Sequence, residues 1–129
     1  MPRASSVEPA LFGEIMNVYY IEIVTADVDT VCKTHELLHG LEFGEPLPGL
    51  GGARTAKRAG GGLIGVRAPL RDNEDPITRH YVLVDDIEAV VTAAAEAGAE
   101  VAVPPMELPG HGVCAITIQG GIESGFWQL

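Results

Sequence analysis

Hydrophobic and polar positions follow one rhythm and then another along this chain, and the same order of rhythms occurs twice. The β-branched and aromatic run from Val18 to Thr25 reads as a strand. Asp27 or Asp29 then caps a helix whose apolar positions Val28, Val31, Cys32, His35 and Leu38 recur at steps of three and four until Gly40 ends it. Three extended pieces are expected next, around residues 42–45, 53–58 and 62–67, separated by Pro46, Pro48 and glycine runs that do not belong inside strands. The second half repeats that order. His80 to Val84 is a strand, Asp85 or Asp86 caps, and Ile87, Val90, Val91, Ala94 and Ala97 form a helical stripe ended by Gly98. Extended pieces follow near residues 100–103, 112–118 and 123–128.

Landmarks recur at a nearly constant offset: Asp27 and Asp86 are 59 residues apart, Gly40 and Gly98 are 58, and Gly65 and Gly125 are 60. A βαβββ unit has therefore been used twice. The fold class expected is α+β, with repeat one at about 17–67, a solvated linker at 68–78, and repeat two at about 79–129. Residues 1–10 are expected to be disordered, and 11–129 to form one domain. A sheet covered by a helix on one face leaves its other face bare. Two such units joined edge to edge enclose a concavity, and that is where a small ligand is expected.

Length agrees with this reading, since 129 residues suit one core that folds without disulfides or a structural metal. Charge narrows the partners. Eighteen acidic against eight basic residues give a net charge of −10, which repels phosphate backbones, and seven aromatics are few for a base-stacking platform. No nucleic acid partner is expected. No apolar run approaches the roughly 18–20 residues of a membrane span, and no basic head with an apolar core precedes residue 10, so no membrane partner and a cytoplasmic location are expected. Cys32 and Cys114 lack the spacing of a disulfide framework or zinc knuckle and read as small buried apolar residues.

Several motifs then carry a resemblance. The stretch from Tyr81 to Ala89, the Ala-Gly-Ala turn at 97–99, the segment Val103-Pro104-Pro105-Met106-Glu107-Leu108-Pro109-Gly110 and the closing Gly125-Phe126-Trp127-Gln128 resemble the vicinal oxygen chelate superfamily over residues 17–129. That superfamily includes glyoxalase I, extradiol dioxygenases and bleomycin-resistance proteins. The resemblance implies a curved mixed sheet around a cleft, the glyoxalase/bleomycin resistance/dioxygenase fold, and commonly a homodimer. It also implies a divalent metal held at four positions, which fall here on Tyr20, Arg79, Gly65 and Gly125. None of these is an ordinary ligand for such an ion, and the fixed charge of Arg79 repels one. Glu22, His80 and Glu123 are the best alternative metal set, although His80 lies one residue out of register and so on the opposite face. Gln119-Gly120-Gly121 also stands where the superfamily commonly has an Asp-Pro-x-Gly turn.

Other candidates weaken on inspection. His35 and His39 have i, i+4 metal spacing but no third ligand nearby. His111 sits in a turn expected at the cleft mouth, as a base or a solvated side chain. The clusters at 49–52 and 60–62 lack the helix and Lys-Ser or Lys-Thr pair of a phosphate loop, and no serine stands in a nucleophile elbow.

The expectation is thus a cleft without metal or other cofactor, with Glu22 and Glu123 as candidate catalytic carboxylates. Tyr20, Arg67, Arg79, Tyr81 and Trp127 are the candidate ligand-binding residues, their rings offering apolar faces and the guanidiniums a planar donor fork. The function expected is binding of a small organic molecule, cationic by the sign of the net charge, in a binder or a cofactor-independent enzyme. The alternatives are a metal-dependent lyase or dioxygenase and a non-catalytic protein-interaction domain.

Overall fold

The structure, a computed structural model, describes residues 17–129. The expectation of disorder at residues 1–10 lies outside the described residues. Strand β1 (Asn17–Val24) leads into helix α1 (Val28–His39), followed by β2 (Arg54–Lys57) and β3 (Leu63–Arg67). Strand β4 (Ile77–Leu83), helix α2 (Ile87–Glu96), β5 (Glu100–Leu108), β6 (Gly112–Gln119) and β7 (Ile122–Gln128) complete the order. The seven strands make one mixed sheet, β2-β3-β1-β4-β7-β6-β5. Each repeat pairs its first and last strands in parallel, β1 with β3 and β4 with β7. The repeats join through the antiparallel pair β1–β4, so the cleft is formed within one chain.

Capping residues fix where the helices start and stop. Asp86 caps α2, its carboxylate accepting from the Ala89 N–H at 3.1 Å. Asp27 precedes α1 without such a bond; the Thr25 hydroxyl oxygen accepts the Asp27 N–H instead. Gly40 closes α1 in the left-handed conformation, with φ of 67°.

Both helices pack on one face of the sheet. Cys32 of α1 lies among Phe43, Ala56, Ile64 and Val66. Ile87, Val90 and Val91 of α2 lie on Ala115 and Phe126. The opposite face carries a third cluster of Tyr20, Leu50, Ala53, Tyr81, Cys114 and Trp127. The helical stripes are narrower than their periodicity predicts: Leu38 stands 69% exposed on α1, and Ala97 lies exposed beyond the end of α2.

Three expectations are corrected. Residues 42–45 form no strand, since Pro46 removes a donor and a short 3-10 turn at Pro48–Leu50 follows, leaving a single bridge between Leu47 and Ala53. Among the described residues the first repeat is βαββ and the sheet has seven strands, not eight. Pro104 and Pro105 do not end extended structure, because β5 is the edge of the sheet and has register irregularities between Val101 and Met106. The segment between β3 and β4 is not wholly solvated either. Glu74 turns inward, with its side chain 12% exposed.

Candidate functional site

Strand register sets which side chains share the concave face. Glu22 lies opposite Arg79, Tyr20 opposite Tyr81, and Gly65 and Gly125 stand beside Glu22 and Tyr81. The pair Ile21 and His80 sits at the centre of this arrangement. Ile21 therefore meets its counterpart His80 directly, while Tyr20 and Glu22 each face the counterpart of the other. A bulge between Val18 and Tyr20 breaks strict alternation. Tyr19 thereby joins the cleft-side cluster, its ring centroid 5.5 Å from that of Trp127.

The concave face holds a cavity of about 370 Å³. Tyr20, Tyr81 and Trp127 form its floor, with ring centroids 5.1 to 5.8 Å apart. Leu50, Leu108 and Ile116 make apolar walls, and Arg71 stands at the rim. Of the residues expected here, Tyr20, Glu22, Arg67, Arg79, Tyr81 and Trp127 all line the cavity. Glu123 does not line it and touches Arg79 from behind. The periodicity gave no sign of Glu74, which its segment delivers from outside the repeats, nor of Leu50 or Cys114 as lining residues.

Across the floor runs a ladder of alternating charge. Arg67 donates through Nε to Glu22 Oε2 at 2.7 Å, and through both terminal nitrogens to Glu74 at 3.1 and 2.7 Å. Arg79 donates to Glu22 Oε1 and, through Nε, to Glu123 Oε1 at 2.7 Å. Tyr81 Oη donates to Glu22 Oε1 at 2.8 Å. Both oxygens of the buried Glu22 are thus engaged by three donors.

These surroundings set the protonation states. Burial works against the charge of Arg67 and of Arg79, but their hydrogen bonds and carboxylate neighbours outweigh it and push both guanidiniums above their usual range. The Arg67 hydrogen bond holds Glu74 down at about 2. Burial, with Glu22 nearby, pushes the Tyr20 and Tyr81 phenols well above the usual range, so both stay protonated. Burial raises the Cys114 thiol to about 11.

Tyr20 differs from Tyr81 in one respect. Tyr20 is only 3% exposed, yet its hydroxyl makes no hydrogen bond with any described residue, and no unpaired buried side-chain polar atom is found among the described residues. Its side chain lines the cavity, with the hydroxyl lying over Gly65.

The donor set does not fit a divalent metal. Of the four positions the resemblance implies, two are glycines and one is Arg79. A β-carbon on Gly65 would overlap Tyr20 Oη, and one on Gly125 would lie 2.6 Å from the Tyr81 ring, so the tyrosines fill the space that longer side chains there would need. The alternative set fails as well, since His80 is exposed on the other face while Glu22 and Glu123 are bound to guanidiniums. Among the described residues no three His, Cys, Asp or Glu side chains group as metal ligands.

The remaining histidines stay apart from the cavity lining. His35 bonds through Nδ1 to the Val31 carbonyl and faces His39. The His111 carbonyl accepts from Trp127 Nε1 at 3.0 Å, and its ring lies near Gly49 at the rim.

A mixed seven-stranded sheet with two helices on one face and a cleft on the other is the glyoxalase/bleomycin-resistance architecture. Comparison with solved structures agrees. A methylmalonyl-CoA epimerase from Mycobacterium tuberculosis superposes with a TM-score of 0.70 at 15% identity, covering 96% of this chain and 93% of that one. A hypothetical protein from Bacillus halodurans gives 0.69 at 17% identity, covering 90% and 96%. A Streptomyces coelicolor methylmalonyl-CoA epimerase in complex with 2-nitronate-propionyl-CoA gives 0.65 at 14%, covering 89% and 98%. In sequence, the chain is 28% identical over 115 residues to "Putative glyoxylase CFP32" of Mycobacterium tuberculosis and Mycobacterium bovis, an alignment over 84% of this chain. The chain spans 44% of the length of those relatives. No family model matches. The chain thus has the glyoxalase/bleomycin-resistance fold, and its likeness to these relatives agrees with the resemblance to the vicinal oxygen chelate superfamily that its sequence motifs carry.

Proposed function

We propose that the chain binds a small organic molecule in the cleft, without a divalent metal, and holds it rather than transforming it. The observation that carries this reading is the Tyr20 hydroxyl, without a hydrogen bond to any described residue, on a largely buried side chain that lines an apolar cavity large enough for a small molecule. A ligand acceptor would give that hydroxyl a partner within the cavity. A cavity of this size also sets the reading apart from an interaction domain whose cleft is filled by its own side chains.

Proton-transfer chemistry in the cleft would need a base, and among the described lining residues each carboxylate is already bound to a guanidinium. Glu22 and Glu74 each accept three hydrogen bonds, while Tyr20, Tyr81 and Cys114 hold their protons tightly. Glu22 and Glu123, expected from sequence as catalytic carboxylates, serve in this reading as anchors that fix Arg67 and Arg79. Tyr20, Arg79, Tyr81 and Trp127 contact the ligand. A cytoplasmic homodimer belongs to the same proposal; Leu37 and Leu38, exposed side by side on α1, are apolar surface that a second copy would cover.

Saturation-transfer NMR with a library of small aromatic and aliphatic compounds tests it. Binding that survives chelation, disappears in a cleft-filling Ile116→Trp variant with unchanged circular dichroism, and returns each compound unaltered supports the proposal. Loss of binding on chelation, or cleft-dependent conversion of a bound compound, overturns it in favour of an enzyme.

A further inference from the structure

Among the described lining side chains, every polar group left open carries a donor hydrogen, with Tyr20 Oη keeping acceptor lone pairs as well. Tyr20 Oη has no partner among the described residues, and its raised proton affinity keeps its hydrogen in place. Arg79 uses Nε for Glu123 and Nη1 for Glu22, and Nη2 bonds to no described residue. Because no buried side-chain polar atom among the described residues lacks a partner, Nη2 is not sealed from solvent, and the side chain that carries it lines the cleft. Arg71 at the rim forms no side-chain hydrogen bond or ion pair with a described residue, and a guanidinium has no lone pair to offer.

Acceptors are the reverse case. The lining has two carboxylates, Glu22 and Glu74, and each of their four oxygens already faces a guanidinium. Among the described lining side chains, an ammonium group entering the cleft would find only the Tyr20 hydroxyl oxygen free of a guanidinium, beside carboxylates whose charge is already compensated. The lining also counts three guanidiniums, Arg67, Arg71 and Arg79, against those two carboxylates. The chain's net charge of −10 acts at long range and is screened within roughly 10 Å in ordinary salt. The nearby donors decide what binds.

We infer that the ligand is an acceptor, a small molecule with an apolar or aromatic body and a carboxylate or carbonyl oxygen end, which Tyr20 Oη and the open N–H groups of Arg79 receive, and that amines are refused. The inference rests on the reading of the cleft as a binding site. It replaces the cationic ligand expected from net charge alone.

Matched probes decide it, with one body and three heads: phenylacetate, phenylacetamide and 2-phenylethylamine, together with hexanoate, hexanamide and hexylamine. Trp127 is the chain's one tryptophan and part of the cleft floor, so its emission reports occupancy directly. Carboxylates or amides should bind at least about tenfold more tightly than amines of the same body, and Tyr20→Phe should weaken the former by about tenfold while leaving amines unchanged. Amines binding as tightly as carboxylates and amides, or a Tyr20→Phe variant that binds them all as before, would overturn the inference while leaving the cleft a binding site. If none of the six shifts Trp127 emission at millimolar concentration, the inference falls. The fate of the binding reading is then decided separately, by the library screen against the Ile116→Trp variant.

Discussion

Glu22 and Tyr81 occupy equivalent places in the two repeats, 59 residues apart, and meet across the junction in a hydrogen bond of 2.8 Å. The antiparallel pairing of β1 with β4 around Ile21 and His80 makes this possible. It places each residue of the first strand near the counterpart of its neighbour. What divergence put at those two places, a carboxylate and a phenol, defines the floor of the cleft.

Removing the central charge should be costly. Glu22→Gln removes the one carboxylate that Arg67 and Arg79 share in a buried setting. We expect a loss of about 3–5 kcal/mol in urea unfolding. A loss below about 1 kcal/mol would mean that Glu74 and Glu123 alone suffice to hold the two guanidiniums.

Acid should weaken the fold in a defined window. Glu74 titrates at about 2 in the folded chain, against an ordinary value of 4.5. A depressed carboxylate stabilises the fold above its unfolded value, so this contribution is full above about pH 5 and is lost as pH falls through 4.5 toward 2. Urea midpoints measured from pH 6 to pH 2.5 should fall in the wild type. Glu74→Gln should be less stable at pH 6 and should lack this part of the acid slope.

The contact between Tyr20 and Gly65 should show as an energetic coupling. Gly65→Ala puts a methyl where Tyr20 Oη stands and is expected to cost about 1–3 kcal/mol. Tyr20→Phe alone loses no hydrogen bond to a described residue and should lie within about 0.5 kcal/mol of wild type. Combined, the two should be less harmful than their sum, because the phenol oxygen that clashes is gone; a double-mutant cycle in urea measures the difference.

Cys114 should be slow to alkylate. With its thiol raised to about 11 from the ordinary 9.0, its thiolate at pH 8 is about a hundredfold scarcer than that of an unperturbed cysteine. Iodoacetamide labelling followed by peptide mass spectrometry should show Cys114 reacting correspondingly slowly in the native chain and at a normal rate in urea.

Much of this was legible in the sequence because periodicity and punctuation are local. Alternation located the strands, Asp86 and Gly40 bounded their helices, and the constant offset between landmarks gave the repeat. Parity then put Tyr20, Glu22, Arg67, Arg79, Tyr81 and Trp127 on one face, since a strand side chain can point only one of two ways. Local reasoning failed where a partner strand or a loop intervened. Pro104 and Pro105 read as a loop but lie in a strand that has no outer neighbour to pair with. The bulge in β1, which no local pattern announces, sends Tyr19 toward Trp127. Glu74 carries no pattern at all.

The sequence by itself determined that Tyr20, Glu22, Arg67, Arg79, Tyr81 and Trp127 share a face, and that the positions the resemblance assigns to a metal hold glycine, a phenol and a guanidinium. Only the tertiary structure decided how those charges are shared. Whether a carboxylate is free or engaged depends on ångström distances between residues 44 to 59 positions apart, and periodicity carries no information on them. For the same reason only the folded chain showed three guanidiniums gathered with two already bound carboxylates in the cleft lining, a local charge opposite in sign to that of the whole chain.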